Sequence, residues 1–91
     1  MTMEQYKLLA PYHAEACRIW LELGRTDVLS ILYEPKTKKI GFLANETGKR
    51  VEIDNFQPSS NGETVREFSE RYVLPRLTIL ADETVPVIRA A

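Results

Sequence analysis

The sequence predicts an α+β fold. It is a two-layer sandwich in which an N-terminal helix and a C-terminal helix cover one face of a three-stranded antiparallel meander of order 1-2-3, with an extended tail. Three observations carry this reading. Apolar residues recur three or four apart in the first and last thirds of the chain, the period of a helix face. Between them, residues 28–56 are rich in β-branched and aromatic side chains. That stretch is cut in three by two turn-type clusters, Pro35-Lys36-Thr37-Lys38 and Asn45-Glu46-Thr47-Gly48.

In the first third, Tyr6, Leu9, Ala16, Ile19, Trp20 and Leu23 mark one helix face, interrupted by Pro11. Proline suits a first helical turn and is costly in the interior, so the firm helix is expected from Pro11 to Leu23, with Thr2 to Ala10 a separate short turn. Gly24 follows as the left-handed cap. After Arg25-Thr26-Asp27, the first strand is expected over Val28 to Glu34. If Glu34 faces Lys39 across the first turn, Tyr33 pairs with Ile40, Ile31 with Phe42 and Leu29 with Ala44 on a common face. The second turn allows a three-residue loop that sends Phe42 and Ile40 to solvent, or a four-residue loop ending in left-handed Gly48. The second pairs Ala44 with Lys49, Phe42 with Val51 and Ile40 with Ile53, and it is the one that keeps the apolar set together.

Gln57 to Gly62 reads as a loop. Ser60 with Glu63 three residues on has capping-box spacing, which starts a second helix near Asn61. Val65, Phe68 and Tyr72 are its expected buried stripe, continued by Val73, Leu77 and Leu80 beyond a kink at Pro75. The tail from residue 83 to 91 is apolar and β-prone, and Pro86 restricts it to an edge strand or an extended arm.

The 91 residues fit a single domain, 1–91, and a chain of this length buries only somewhat more than ~60% of its unfolded surface. With 12 basic against 13 acidic residues, no global field draws it to nucleic acid or an anionic membrane. One cysteine, Cys17, excludes an internal disulfide, and the first ten residues lack a signal-like apolar run, so a cytoplasmic location is expected. His13 and Cys17 stand four apart on the first helix, but no second histidine joins them, so no metal site and no cofactor are expected. No Ser or Cys triad and no phosphate-cradling glycine loop can be assembled. The carboxylates Glu52 and Asp54 read as a solvated strand face rather than an acid–base pair. No catalytic residues and no small-molecule substrate are inferred; a small acid–base enzyme or enzyme subunit is the most distant alternative.

Basic residues gather in two loops, Lys36, Lys38 and Lys39 at one end of the sheet and Arg25, Lys49 and Arg50 at the other. They define a weak nucleic-acid-binding alternative. The order α-β-β-β-α is also that of double-stranded-RNA-binding domains. Here, however, the second helix opens with Glu63, Arg66, Glu67 and Glu70 where those domains carry lysines. The leading expectation comes from the sheet's outer face. Arg50, Glu52 and Asp54 on strand 3 form an ionic row with Glu34 and Lys39, whereas Val28, Ser30, Leu32 and Leu43 leave the other half dry. Those four residues are the expected partner-binding site of a small non-enzymatic interaction protein. It would be a regulator, inhibitor or immunity-type protein that docks on another protein or on a second copy of itself.

Overall fold

The computed structural model describes residues 2–83. The expected tail therefore lies outside the described residues except for Glu83. The order is α1 (Met3–Glu22), β1 (Leu29–Glu34), β2 (Lys39–Ala44), β3 (Lys49–Ile53), α2 (Gly62–Phe68), a π-helical turn (Ser69–Val73) and α3 (Leu74–Glu83). This is the α+β arrangement read from the sequence, with sheet order β1-β2-β3.

The first helix departs from expectation by running unbroken through Pro11. A capping box at its start accounts for the extra turns. Thr2 Oγ1 accepts from Gln5 N–H at 3.1 Å, and Gln5 Oε1 accepts from Thr2 N–H at 3.0 Å. Pro11 is exposed, so the hydrogen bond it cannot donate leaves a carbonyl to water rather than to the core. At the other end Gly24 takes φ +84°, Gly24 N–H donates to Leu21 O at 2.9 Å and Arg25 N–H to Trp20 O at 3.1 Å, a Schellman closure.

The strand register is the one the apolar pattern selects: Leu29 pairs with Ala44, Ile31 with Phe42, Tyr33 with Ile40, and on the other side Ile40 with Ile53, Phe42 with Val51 and Ala44 with Lys49. Both connections are four-residue turns that end in a left-handed residue. The second uses Gly48 at φ +76°, whereas the first uses Lys38 at φ +54°, which costs a side-chain-bearing residue about 1–2 kcal/mol. The first strand begins at Leu29, one residue later than expected.

The second helix is capped by Asn61 rather than Ser60. Asn61 Oδ1 accepts from Glu63 N–H at 2.9 Å and Thr64 N–H at 3.1 Å. From α2 through α3 the buried positions are Val65, Ser69, Val73, Leu77, Leu80 and Ala81, of which all but Leu80 stand four apart, and Tyr72 is exposed, which corrects its assignment to the buried stripe. A strict four-residue repeat drifts around an α-helix of 3.6 residues per turn. The π-helical turn takes up that drift directly before Pro75, where Leu74 N–H reaches back five residues to Ser69 O.

The helices form one layer. α1 packs on β1 and α3 on β3, burying Leu29, Ile31, Ile40, Phe42 and Ile53 beneath Leu9, Tyr12, Trp20, Leu77 and Leu80. Glu15 links α1 to α2: its carboxylate lies 2.7 Å from Arg18 Nε and 3.4 Å from Arg66 Nε. The Arg18 hydrogen bond, aided by Arg66, holds the Glu15 carboxyl below its ordinary value of 4.5 despite partial desolvation. A carboxyl depressed on folding stabilises the native state at neutral pH, and that contribution is lost as pH falls through the lowered folded value. Urea midpoints measured from about pH 6 down to about pH 3 are expected to fall less steeply for Glu15→Gln than for the parent. Identical acid limbs would exclude this role.

Candidate functional site

With helices on one side only, the opposite sheet face carries every second residue. The register sets these side chains in cross-strand rows: Ser30, Leu43 and Arg50; Leu32, Gly41 and Glu52; and Glu34 with Lys39, with Asp54 following the end of β3 beside Lys39. The candidate residues Ser30, Leu32 and Leu43 are thus brought together, and Val28 continues the β1 side just before the strand. Val28 is 65% exposed, and Leu32 and Leu43 are half-buried. Ser30 is committed locally, its Oγ donating to Asn45 Oδ1 at 2.8 Å.

Gly41 forms the low point of this face. A Cβ there would stand 3.3 Å from Val51 O and 3.7 Å from Leu32 Cβ, so the absence of a side chain lets the neighbouring residues wall a shallow depression of about 370 Å³. Leu32 supplies an apolar wall, and Glu34, Lys39, Arg50 and Glu52 supply polar ones. The expected ionic row is half made: Lys39 Nζ reaches Asp54 Oδ1 at 3.8 Å, while Glu34 Oε1 instead accepts from Lys36 N–H at 3.2 Å. Exposed pairs of this length contribute little to stability.

Two residues that the sequence did not connect with the sheet, His13 and Arg76, prove to bond its outer strands. Asn45 N–H donates to Val28 O at 3.1 Å. In an antiparallel pair the inward-bonding residues alternate, so the backbone groups of Leu29, Ile31 and Tyr33 point to the free side of β1, and those of Arg50 and Glu52 to the free side of β3. His13 Nε2 donates to Leu29 O at 2.7 Å, and Arg76 Nε donates to Glu52 O at 3.1 Å. On each outer strand one outward carbonyl is therefore occupied by a helix-borne side chain, a partial cover of an exposed edge. The alternation of the strands could have shown which carbonyls face outward; nothing in the sequence marks His13 and Arg76 as their partners.

Cys17 is partly buried, and desolvation raises its thiol pKa, which leaves it a poor nucleophile. Among the described residues no three His, Cys, Asp or Glu side chains converge as a metal site. No helix among them is long and apolar enough to cross a membrane. Lys36, Lys38 and Lys39 are exposed at one end of the sheet and Lys49 and Arg50 at the other, but Arg25 does not join the second group. It is 6% exposed, with Nε donating to Asp27 Oδ1 at 2.9 Å and its guanidinium 4.8 Å over the Trp20 ring. Trp20 and Phe42 are buried and Phe68 half-buried, so none of the three offers an open face for stacking on a base.

The chain has no significant match among family models, curated proteins or solved structures.

Proposed function

We propose that this is a non-enzymatic interaction protein of the regulator, inhibitor or immunity type, which docks another protein on the outer face of its sheet. The observation that supports it is the one-sided helix layer. It leaves Val28, Leu32 and Leu43 as an apolar group beside the Gly41 depression, bordered by Lys39, Arg50, Glu52 and Asp54. An apolar centre with a charged margin is the anatomy of a protein-binding patch. The margin carries both signs of charge, which suits a mixed protein surface better than a uniformly anionic backbone.

Leu43 lies on the central strand between Ser30 and Arg50 and is the residue to test. Half-buried, it contributes on the order of 1 kcal/mol to folding, so Leu43→Glu should remain folded. A partner retained by the immobilised wild-type protein should bind Leu43→Glu about thirty-fold more weakly, the ~2 kcal/mol effect of an interface hot spot. Leu74→Glu, at a 38% exposed position on α3, should bind it normally. Equal binding by all three proteins would dismiss the sheet face as the docking site.

A further inference from the structure

Both edges keep open backbone groups among the described residues, Arg50 and the Glu52 N–H on β3, but β1 keeps the longer run. On β1, His13 occupies the carbonyl of Leu29, but Ile31 and Tyr33 direct both N–H and C=O to the free side, and no described residue bonds them there. Four unsatisfied backbone groups in a row are a template for another strand. The dry half of the outer face also borders this edge, while the charged half borders β3.

We propose that β1 pairs antiparallel with β1 of a second copy about a two-fold axis at Leu32, joining the two sheets into one of six strands. The hydrogen-bond phase selects this register. To keep core side chains on one face, residues of the same parity must stand opposite each other. An axis at Ile31 would set Leu29 against the partner's Tyr33 and demand the carbonyl that His13 already fills. An axis at Tyr33 would set Ile31 against the partner's Pro35, which has no N–H to give. With the axis at Leu32, Ile31 and Tyr33 of each copy exchange all four hydrogen bonds. Leu29 then meets Pro35, so the occupied carbonyl faces the residue that lacks a donor.

The side chains agree with this arrangement. Leu32 meets its own copy, and Ser30 stands opposite Glu34. The apolar residues that fringe one protomer become the middle of the joined face, with Arg50, Glu52 and Asp54 at both margins. On the helix layer, α1 antiparallel to its copy approaches through the flank marked by His13. Tyr6, two turns before His13, shares that flank, and Met3 and Ala10 adjoin it. Tyr6 is 45% and Met3 72% exposed, and every buried residue of α1 lies at Leu9 or beyond, so a second copy would cover turns that the protomer leaves bare. A specific interface needs about 1,000 Å² in total, so the pairing requires the α1 flanks as well as the two strand edges. The pairing is independent of whether the outer face binds another protein, and it is read out without that partner.

Sedimentation of the wild-type protein should show a mass that rises to the dimer with concentration, and Tyr6→Glu, at an exposed position, should shift it toward monomer while keeping the wild-type melting temperature at dilutions where both are monomeric. In a Cys17→Ser background, mild oxidation should link Leu32→Cys into a covalent dimer. Opposed non-hydrogen-bonded residues have Cα atoms about 4.5 Å apart, within disulfide range. Ser30→Cys, opposite Glu34 of the partner, should link at least tenfold less. A wild-type mass that stays monomeric up to ~1 mM, the weak end of specific association, overturns the proposal. So does equal linking at positions 30 and 32, or a dimer that Tyr6→Glu leaves intact.

Discussion

Arg25→Ala is expected to destabilise the protein by about 3–5 kcal/mol, the usual consequence of removing one member of a buried ion pair. The side chains of Arg25 and Asp27 are 7% and 10% exposed, and their 2.9 Å contact is shielded from solvent. The guanidinium also lies over Trp20 of α1 and reaches Ala81 O of α3 at 3.5 Å, so one side chain ties together the C-terminal ends of both long helices and the entry to β1. Asp27 Oδ2 is already buried without a hydrogen bond among the described residues, and loss of Arg25 would strand Oδ1 as well. A domain of this size has about 5–13 kcal/mol of stability in all, so the variant should unfold at a far lower urea concentration. Arg25→Met combined with Asp27→Leu, which withdraws both charges together, should recover most of the loss. If the single and double variants had the same urea midpoint, Arg25 would be stabilising the fold through its packing against Trp20 rather than through the ion pair.

Arg25 also shows where the sequence stops being legible. Lying between Gly24 and Asp27, it looks like any basic loop residue; only the fold brings Trp20 and Ala81 to it. The sheet register is readable because two constraints agree: alternation of Leu29, Ile31 and Tyr33 with Ile40, Phe42 and Ala44, and a four-residue turn at each end of β2. The start of α1 is hidden behind Pro11 unless the Thr2–Gln5 capping box is set against it, although that pattern stands in the sequence. In α2 and α3, Phe68 and Tyr72 fit a 3.6-residue stripe, whereas the buried set follows Val65, Ser69 and Val73. A serine at a core position breaks the apolar signal, and the π-helical turn that makes the four-residue spacing workable leaves no mark except Pro75. The candidate site divides in the same way. Membership of the outer face follows from parity alone, whereas which backbone groups of the edges remain open depends on His13 and Arg76.

Phe56→Ala is expected to destabilise by a similar ~3–5 kcal/mol, but at the opposite end of the molecule. Left-handed Asn55, at φ +57°, turns the chain out of β3, and Phe56 N–H donates to Lys38 O at 2.8 Å. The ring, 1% exposed, meets Tyr12 edge-on at 4.8 Å, Tyr33 at 5.8 Å and Phe68 at 5.2 Å. Three elements, α1, β1 and α2, therefore converge on one side chain, and Tyr12 Oη fastens the following loop by accepting Ser59 N–H at 2.9 Å. Truncation leaves a cavity beneath Tyr33, the residue whose backbone lies on the open edge of β1. Phe56→Leu, which keeps much of the volume, should lose about half as much stability. The signature that separates this cluster from Arg25 is where protection is lost. At equal destabilisation, amide exchange should accelerate first at the Tyr33 end of β1 for Phe56→Leu, and at the end of α1 beside Trp20 for Arg25→Met. Uniform acceleration in both variants would show that the two ends unfold as one cooperative unit, and that the edge of β1 draws no local rigidity from Phe56.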